Sequence, residues 1–205
     1  DGLPGNYILA VLEDNSGDIW VSTTRGVGRI NLRANSFRSY GEGDGLPFIS
    51  FGGARQNTAK AADGQLFFSG ADGTIGIYPD WIKDNPHIPP IRITDFRIFH
   101  ERVKLDTMIQ FKKTITLRHD QNAFSFTFAA LNFTNPEKNQ YAYKMEGFHE
   151  DWIYIGNERT ASFTNLDPGR YVFRVKGSNN HGLWNQEGTS IKVIILPPWG
   201  RSNLA

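Results

Sequence analysis

An imperfect internal repeat restricts the architecture of this 205-residue chain more than any other feature. Asp1-Gly2-Leu3-Pro4 recurs as Asp44-Gly45-Leu46-Pro47, and Ser16-Gly17-Asp18-Ile19-Trp20-Val21-Ser22 is echoed by Asp63-Gly64-Gln65-Leu66-Phe67-Phe68-Ser69. The offset is 43 residues at the first motif (44 minus 1) and 47 at the second (64 minus 17), which predicts a four-residue loop insertion near Gly52-Gly53. Repeats of about 40 to 50 residues made of short strands are typical of propeller blades.

The repeats are too few to close a propeller ring. Propellers need about four to eight blades, and the stretch before residue 90 has room for one or two, so we expect further blades upstream in a longer protein. Within the first repeat, the segment 14–17 is predicted to join the strands Tyr7 to Glu13 and Asp18 to Ser22 as a hairpin. Gly17 supplies the positive φ that such a turn requires.

Composition excludes several classes of function. The chain has 22 Lys plus Arg and 21 Asp plus Glu, so no net field attracts nucleic acid or an anionic membrane. The absence of cysteine removes disulfide scaffolds, zinc ribbons and thiol catalysis. No apolar run of about 18 residues is present, so we expect no membrane span within this chain.

The second half of the chain has a residue periodicity of two. Proline pairs at 89–90 and 197–198 bracket it, and paired prolines suit domain edges. Alternating apolar positions run through 124–128, 141–145 and 171–175. Further strands are predicted over Ile91 to Phe99, Thr114 to Arg118, Trp152 to Ile155, Thr160 to Thr164 and Ser190 to Leu196. Seven to eight short strands in about 106 residues predict a two-sheet sandwich.

The acidic and histidine clusters do not have the spacing of a reactive centre. Residues 14–18 lack the glycine and the bidentate Glu of a calcium loop. His149-Glu150-Asp151 and His119-Asp120 lack metal-ligand spacing. We therefore predict no catalytic residue, no cofactor and no metal site.

The motifs resemble a known pair of families. Leu12 to Thr23 followed by Gly26-Val27-Gly28-Arg29-Ile30 resembles the two-component regulator propeller repeat. Residues 140–199 contain Tyr-x-Tyr, Glu-Gly-Phe, Leu-x-Pro-Gly-x-Tyr and Pro-Pro-Trp in the order of the triple-tyrosine (Y_Y_Y) domain, whose tyrosines we match to Tyr141, Tyr143 and Tyr171.

The resemblance implies an all-β fold of partial β-propeller blades followed by an immunoglobulin/fibronectin-III-like β-sandwich. The expected domains are a partial propeller over 1–88, a Y_Y_Y sandwich over 89–199 and the start of a membrane-proximal segment over 200–205. The family-motif residues, to which we assign structural roles, are Trp20, Tyr141, Tyr143, Gly147, Trp152, Pro168, Gly169, Tyr171, Trp184 and Trp199. Aromatic faces also stack on sugars, but period-two spacing places the tyrosines and Trp152 on a buried face.

The resemblance also implies a function. Such domains form the periplasmic, non-catalytic sensor of membrane-bound regulators, commonly hybrid histidine kinases that respond to oligosaccharides and sometimes diguanylate cyclases. We expect a homodimer in the full-length receptor, a transmembrane helix beyond Pro-Pro-Trp, and an oligosaccharide bound mainly by upstream blades. The alternatives are an accessory module of a secreted carbohydrate-active enzyme and an adhesion module.

Overall fold

The computed structural model describes residues 5–47, 58–70 and 73–198. Within these ranges the chain forms short strands and four 3-10 turns, and no α-helix. The strands are β1 (Ile8–Glu13), β2 (Ile19–Thr23), β3 (Gly26–Asn31), β4 (Ser36–Tyr40), β5 (Thr58–Lys60), β6 (Leu66–Ser69), β7 (Thr74–Ile77), β8 (Ile91–Ile98), β9 (Glu101–Arg102), β10 (Thr114–Leu117), β11 (Ala123–Ala130), β12 (Tyr141–Glu146), β13 (Ile153–Gly156), β14 (Thr160–Thr164), β15 (Gly169–Ser178) and β16 (Trp184–Ile195). The 3-10 turns are Glu42–Asp44, Pro79–Trp81, Ile109–Phe111 and Pro136–Lys138. The prediction of an all-β chain is confirmed. None of the described helical turns is long and apolar enough to span a membrane.

The chain separates into two compact units, Asp1–Asp84 and Asn85–Ala205. The expected sequence boundary stands at 88, and hydrogen bonds explain why residues 85–88 group with the second unit. The backbone N–H of Asn85 donates to Nδ1 of His181 at 2.8 Å, and its side-chain amide donates to Asn132 at 2.9 Å. The expected insertion near Gly52-Gly53 and the segment 200–205 lie outside the described residues.

The first unit contains two antiparallel sheets. Strands β1 to β4 form a four-stranded sheet, the strand number of a propeller blade, and β5 to β7 form a three-stranded sheet. Trp20, Val27 and Tyr40 of the first sheet pack in one core with the apolar face of the second. That face consists of Leu66, Phe68, Ile75 and Ile77.

A buried carboxylate organises the hairpin of the first repeat. Oδ1 of Asp14 accepts hydrogen bonds from the backbone N–H groups of Ser16 and Asp18 at 2.8 and 3.0 Å. Oδ2 accepts the indole N–H of Trp20 at 2.8 Å. Trp20 is fully buried and stacks on Tyr40 at 5.5 Å between ring centroids. The carboxylate therefore satisfies the one polar group of the largest buried ring.

The second repeat keeps the hairpin turn but has neither the aspartate nor the tryptophan of the first repeat. At the offset of 47 residues, Ala61 replaces Asp14 and Phe67 replaces Trp20. The backbone turn persists, because the Ala61 N–H donates to Gln65 and Gly64 has φ +89°, close to the +84° of Gly17. Phenylalanine has no N–H, so alanine leaves no donor unsatisfied at this position.

We expect Asp14 and Trp20 to be energetically coupled. Trp20→Phe leaves Oδ2 of Asp14 without its partner, and Asp14→Ala leaves a buried indole N–H without an acceptor. Each single change should destabilise the chain by about 1–3 kcal/mol. The double variant D14A/W20F reproduces the second repeat and should cost less than the sum of the singles by about 1–2 kcal/mol. Chemical denaturation of the four proteins measures this, and strict additivity would contradict the coupling.

The second unit is a β-sandwich. One sheet has the strand order β10-β16-β15-β12-β13 and the other β14-β11-β8-β9. The pair β10 and β16 is parallel, and the remaining pairs are antiparallel. Facing side chains of the two sheets form one continuous core that includes Phe126, Phe128, Phe163 and Phe173. The predicted two-sheet sandwich is confirmed.

Candidate functional site

The outer face of the five-stranded sheet carries the most unusual side chains of the sandwich. In β12, Tyr141 and Met145 point into the core, so Ala142, Lys144 and Glu146 point outward. In β15 the core positions are 173 and 175, which turns Arg174 and Lys176 outward. The ladder aligns Lys176 with Ala142, and Ala142 with Tyr154 of β13. One row of outward residues therefore crosses the sheet from the ring of Tyr154 through Ala142 to the cation Lys176.

Three aromatic rings surround the ammonium of Lys176. Its Nζ lies 4.5 Å from the ring centroid of Trp152, 5.4 Å from Tyr154 and 5.6 Å from Trp184. Nζ also donates a hydrogen bond to Oε1 of Gln186 at 3.2 Å. We call Lys144, Trp152, Tyr154, Lys176 and Trp184 the aromatic-lysine cluster.

The rings explain how a lysine is tolerated at 7% exposure. A buried ammonium without partners is costly, but the negative faces of aromatic rings attract it by about 0.5–2 kcal/mol each, depending on desolvation. Lys144 adds a second cation, since its Nζ lies 5.5 Å from the ring of Trp152. The cluster thus concentrates positive charge beside aromatic surface.

One carboxylate pairs with the cations next to the cluster. Glu146 accepts a hydrogen bond from Nε of Arg174 at 2.5 Å and lies 3.9 Å from Nζ of Lys144. These groups are partly exposed, so the ion pairs contribute little to stability. Their effect is to hold Arg174 and Lys144 in defined positions over the sheet.

The rings of the cluster are accessible from outside. Tyr154 is 63% exposed and meets Trp184 edge to face at 5.6 Å, with 77° between the rings. Trp152 and Trp184 are half-buried. Within the described residues, the indole N–H groups and the Tyr154 hydroxyl form no hydrogen bond, which leaves them available to a ligand.

The three matched tyrosines lie on the opposite, core-facing side. Tyr141 is buried, and its hydroxyl accepts the backbone N–H of Ala130 at 3.1 Å. Tyr143 packs edge to face on Phe163, and burial raises the pKa of its phenol, with Glu158 adding to the rise. The hydroxyl of Tyr171 donates to the backbone carbonyl of Asp167 at 2.9 Å. These contacts are those of structural tyrosines.

Gly147, Pro168 and Gly169 lie at turns, two of them against Tyr171. A Cβ on Gly147 would approach that ring at 3.1 Å, and one on Gly169 at 3.3 Å. Gly169 does not have a positive φ. The positive φ near this turn belongs to Asn165, at 56°. Gly169 begins β15, and Pro168 before it is exposed.

The predicted aromatic residues therefore separate into three groups. Trp20 belongs to the core of the first unit, and Trp199 lies outside the described residues. The buried face predicted for Trp152 is wrong, because the half-buried ring lies 4.5 Å from Nζ of the outward Lys176, whereas Ile155 packs against the core. Trp152 and Trp184 join at the outer cluster.

Sequence reasoning did not single out Lys144, Tyr154, Lys176 or Gln186. A signal for the first three was present, because each occupies an even position in a strand whose odd positions are apolar. No local pattern could show that β12 and β15 are neighbours, since their pairing joins residues more than 20 positions apart.

The remaining polar clusters have structural partners. Asp120 receives two hydrogen bonds from Arg118, at 3.0 and 2.9 Å, and these lower the pKa of its carboxyl. Nδ1 of His149 accepts the backbone N–H of Met145 at 3.1 Å. Over 5–47, 58–70 and 73–198, no three His, Asp or Glu side chains are grouped to hold a metal ion.

We expect His149 to make the sandwich sensitive to acid. Burial lowers the pKa of its imidazole below the ordinary value of 6.5, so the unfolded chain binds the proton first as pH falls. Stability should therefore be complete above about pH 6.5 and decline as pH falls through the folded pKa. Replacing His149 by Gln should flatten this part of the stability curve. Replacing the exposed His119 by Gln is the matched control, and an equal effect of both would contradict the assignment.

Two protein-family models match different parts of the chain. Residues 2–25 match the model of the two component regulator propeller, and residues 132–196 match that of the Y_Y_Y domain. Over 207 aligned residues the chain is 34% identical to Histidine kinase P4 of Formosa agariphila. The alignment covers 97% of this chain and 15% of that protein.

Solved structures agree with these matches. An extracellular domain from B. thetaiotaomicron, assigned to a hybrid two component system, superposes with a TM-score of 0.77 at 32% identity. It covers 96% of this chain, which spans 27% of that one. A second extracellular domain from the same organism, also assigned to a hybrid two component system, has a TM-score of 0.52 at 25% identity, over 94% of this chain and 26% of its own.

Proposed function

We propose that this chain, which carries a two-component regulator propeller repeat followed by a Y_Y_Y domain, is a non-catalytic sensor fragment of a bacterial hybrid two-component regulator. In this proposal, blades upstream bind a periplasmic ligand, and the sandwich transmits the binding event to the membrane. The observation that carries the proposal is continuous similarity to one extracellular domain over 96% of this chain. The similarity extends over both units of this chain, so a single shared blade motif does not account for it.

The sandwich is mechanically suited to transmission. Strands β15 and β16 have 10 and 12 residues, the longest described, and they pair from Gly169–Ile195 to Ser178–Trp184. Phe173, Val175, Ile191 and Val193 anchor the ladder in the core. Packed cores do not deform continuously, so displacement at one end is passed to the other rather than absorbed. A ligand then acts by favouring one of two arrangements of the receptor.

The proposal extends to location and assembly. The solved relatives are extracellular domains, and for this chain we propose the periplasm, with a homodimer as the signalling unit. An oligosaccharide is the proposed ligand of the upstream blades. An accessory module of a secreted carbohydrate-active enzyme and an adhesion module are the competing functions, and both require a parent without a membrane helix and cytoplasmic kinase after the sandwich.

The test uses the full-length parent in its own membrane. Autophosphorylation is measured with and without a panel of oligosaccharides, first in the natural protein and then with Gly-Ser inserted after Leu196. The insertion should abolish the response and preserve ligand binding, because it interrupts the chain between sandwich and membrane. The same insertion between Arg33 and Ala34, in an exposed turn, should leave the response intact. An unchanged response after Leu196 insertion, or a parent without a kinase, would refute the proposal.

A further inference from the structure

The outer face of the five-stranded sheet is strongly basic although the chain as a whole has a net charge of only +1. Strand alternation and ladder register place five cations and one carboxylate on this face. The cations are Lys144, Arg170, Arg174, Lys176 and Lys192, and the carboxylate is Glu146. Glu187 lies in the irregular part of β16, where alternation does not set its direction.

The aromatic-lysine cluster occupies one end of this basic face. From Lys176 to the row of Val172 and Lys192 is four residues of β15, or about 13 Å at the usual strand rise. Charge and ring surface therefore form one track rather than two separate patches.

We propose that this face is a binding site for an acidic saccharide. The exposed face of Tyr154 and the edge of Trp184 contact the apolar face of a pyranose, and their unpaired N–H and O–H groups meet its hydroxyls. Arg174 and Lys192 pair with carboxylate or sulfate groups further along the chain of sugars, where charge-assisted hydrogen bonds are strong. This goes beyond the sensor function proposed above, because it concerns the sandwich itself rather than the blades.

Two of the five cations have protein partners before any ligand arrives. Arg174 hydrogen-bonds to Glu146, and Lys176 lies among three rings and donates to Gln186, so these two side chains have less freedom to lose on binding. Arg174 keeps 43% side-chain exposure, which leaves donors free for an incoming anion. Such preorganisation favours a defined ligand over diffuse attraction.

Two other occupants fit the face less well. A second copy of this chain would bring two basic faces together, and like charges oppose that contact. Insertion into a lipid surface needs protruding apolar side chains, whereas the outward apolar positions Val172 and Ile194 are half-buried between the charged rows. An acidic saccharide matches both the charge and the aromatic surface.

The test titrates the whole 205-residue chain with three sets of oligosaccharides and follows calorimetry and tryptophan fluorescence. Galacturonate oligomers present carboxylates, chondroitin sulfate oligomers present sulfates as well, and maltohexaose is neutral. We expect acidic oligomers to bind about tenfold or more tightly than the neutral one, with affinity falling as salt rises. A preference between the two acidic sets identifies the anionic group. Equal affinity for neutral and acidic sugars would overturn the inference.

Matched variants locate the site. Tyr154→Ala should weaken binding of acidic oligomers by about fivefold, and Arg174→Gln should weaken it by about tenfold. Phe133→Ala and Arg97→Gln are the controls, since Phe133 is 81% exposed and Arg97 pairs with the carboxylate of Asp95 in the other sheet. Unchanged affinity in Y154A and R174Q would overturn the inference. So would binding to phosphatidylglycerol vesicles without binding to any saccharide. A full-length receptor that binds the acidic saccharide but shows no change in autophosphorylation would count against the sensor proposal alone.

Discussion

Replacing Gly188 by alanine is expected to destabilise the sandwich by at least about 4 kcal/mol, the range reached by severe core defects. A Cβ at this position would lie 2.1 Å from the backbone oxygen of Val175, far inside contact distance. Val175 is fully buried, so neither backbone can retreat without opening the core. The irregular stretch of β16 would have to rearrange, and with it Gln186, the hydrogen-bond partner of Lys176.

Gly156 provides a control for backbone strain. Both glycines have φ +62°, but a Cβ on Gly156 meets no atom within 4 Å. Gly156→Ala therefore measures the cost of placing an L-residue in the left-handed region, about 1–2 kcal/mol. The excess loss in Gly188→Ala measures the collision with Val175. Urea unfolding followed by tryptophan fluorescence compares the two, and similar midpoints would contradict the expected clash.

Phe173→Ala is expected to cost about 3–5 kcal/mol. Its ring is fully buried and stacks on Phe126 of the other sheet at 4.5 Å and 11°. It also contacts Phe128, Tyr143 and Phe163. Alanine would leave a cavity between the two sheets, and the surrounding rings cannot close it without leaving their own contacts.

The size of this effect can be separated from the chemical change itself. Phe133→Ala removes the same atoms from a side chain that is 81% exposed and should alter stability by no more than about 0.5 kcal/mol. Thermal and urea unfolding of both variants give the comparison. A loss below about 2 kcal/mol for Phe173→Ala would mean that the core relaxes around the deletion.

Most strands could be predicted from the sequence. In 123–130 each Phe is two residues from the next, and the structure buries all three in one core. The predicted strand from 190 covers only the second half of β16, which begins at Trp184. Residues 184–190 show no apolar alternation, and the ladder opposite them is irregular between Val175 and Gly177. Their strand conformation therefore depends on pairing with β15.

The candidate site was less accessible to prediction than the fold. Trp152 was expected on a buried face, yet it lies beside the outward Lys176, and Ile155 packs against the core instead. The alternation predicts Lys176 as an ordinary outward lysine, and only the structure shows that the rings of Trp152 and Trp184 lie close to its ammonium. At Gly169, the nearby Tyr171 ring leaves little room for a side chain, which only the structure shows.

Local structure follows from the order of residues along the chain: alternating side chains make strands, glycines such as Gly17 permit the turns between them, and the repeat distinguishes the propeller part from the sandwich. Which strands are neighbours, and so which outward residues meet, depends on tertiary contacts. The physical reason is that alternation and turn chemistry act over a few residues, whereas the pairing of β12 with β15 and the packing of two sheets depend on contacts between distant parts of the chain. The aromatic-lysine cluster depends on these contacts between separate strands.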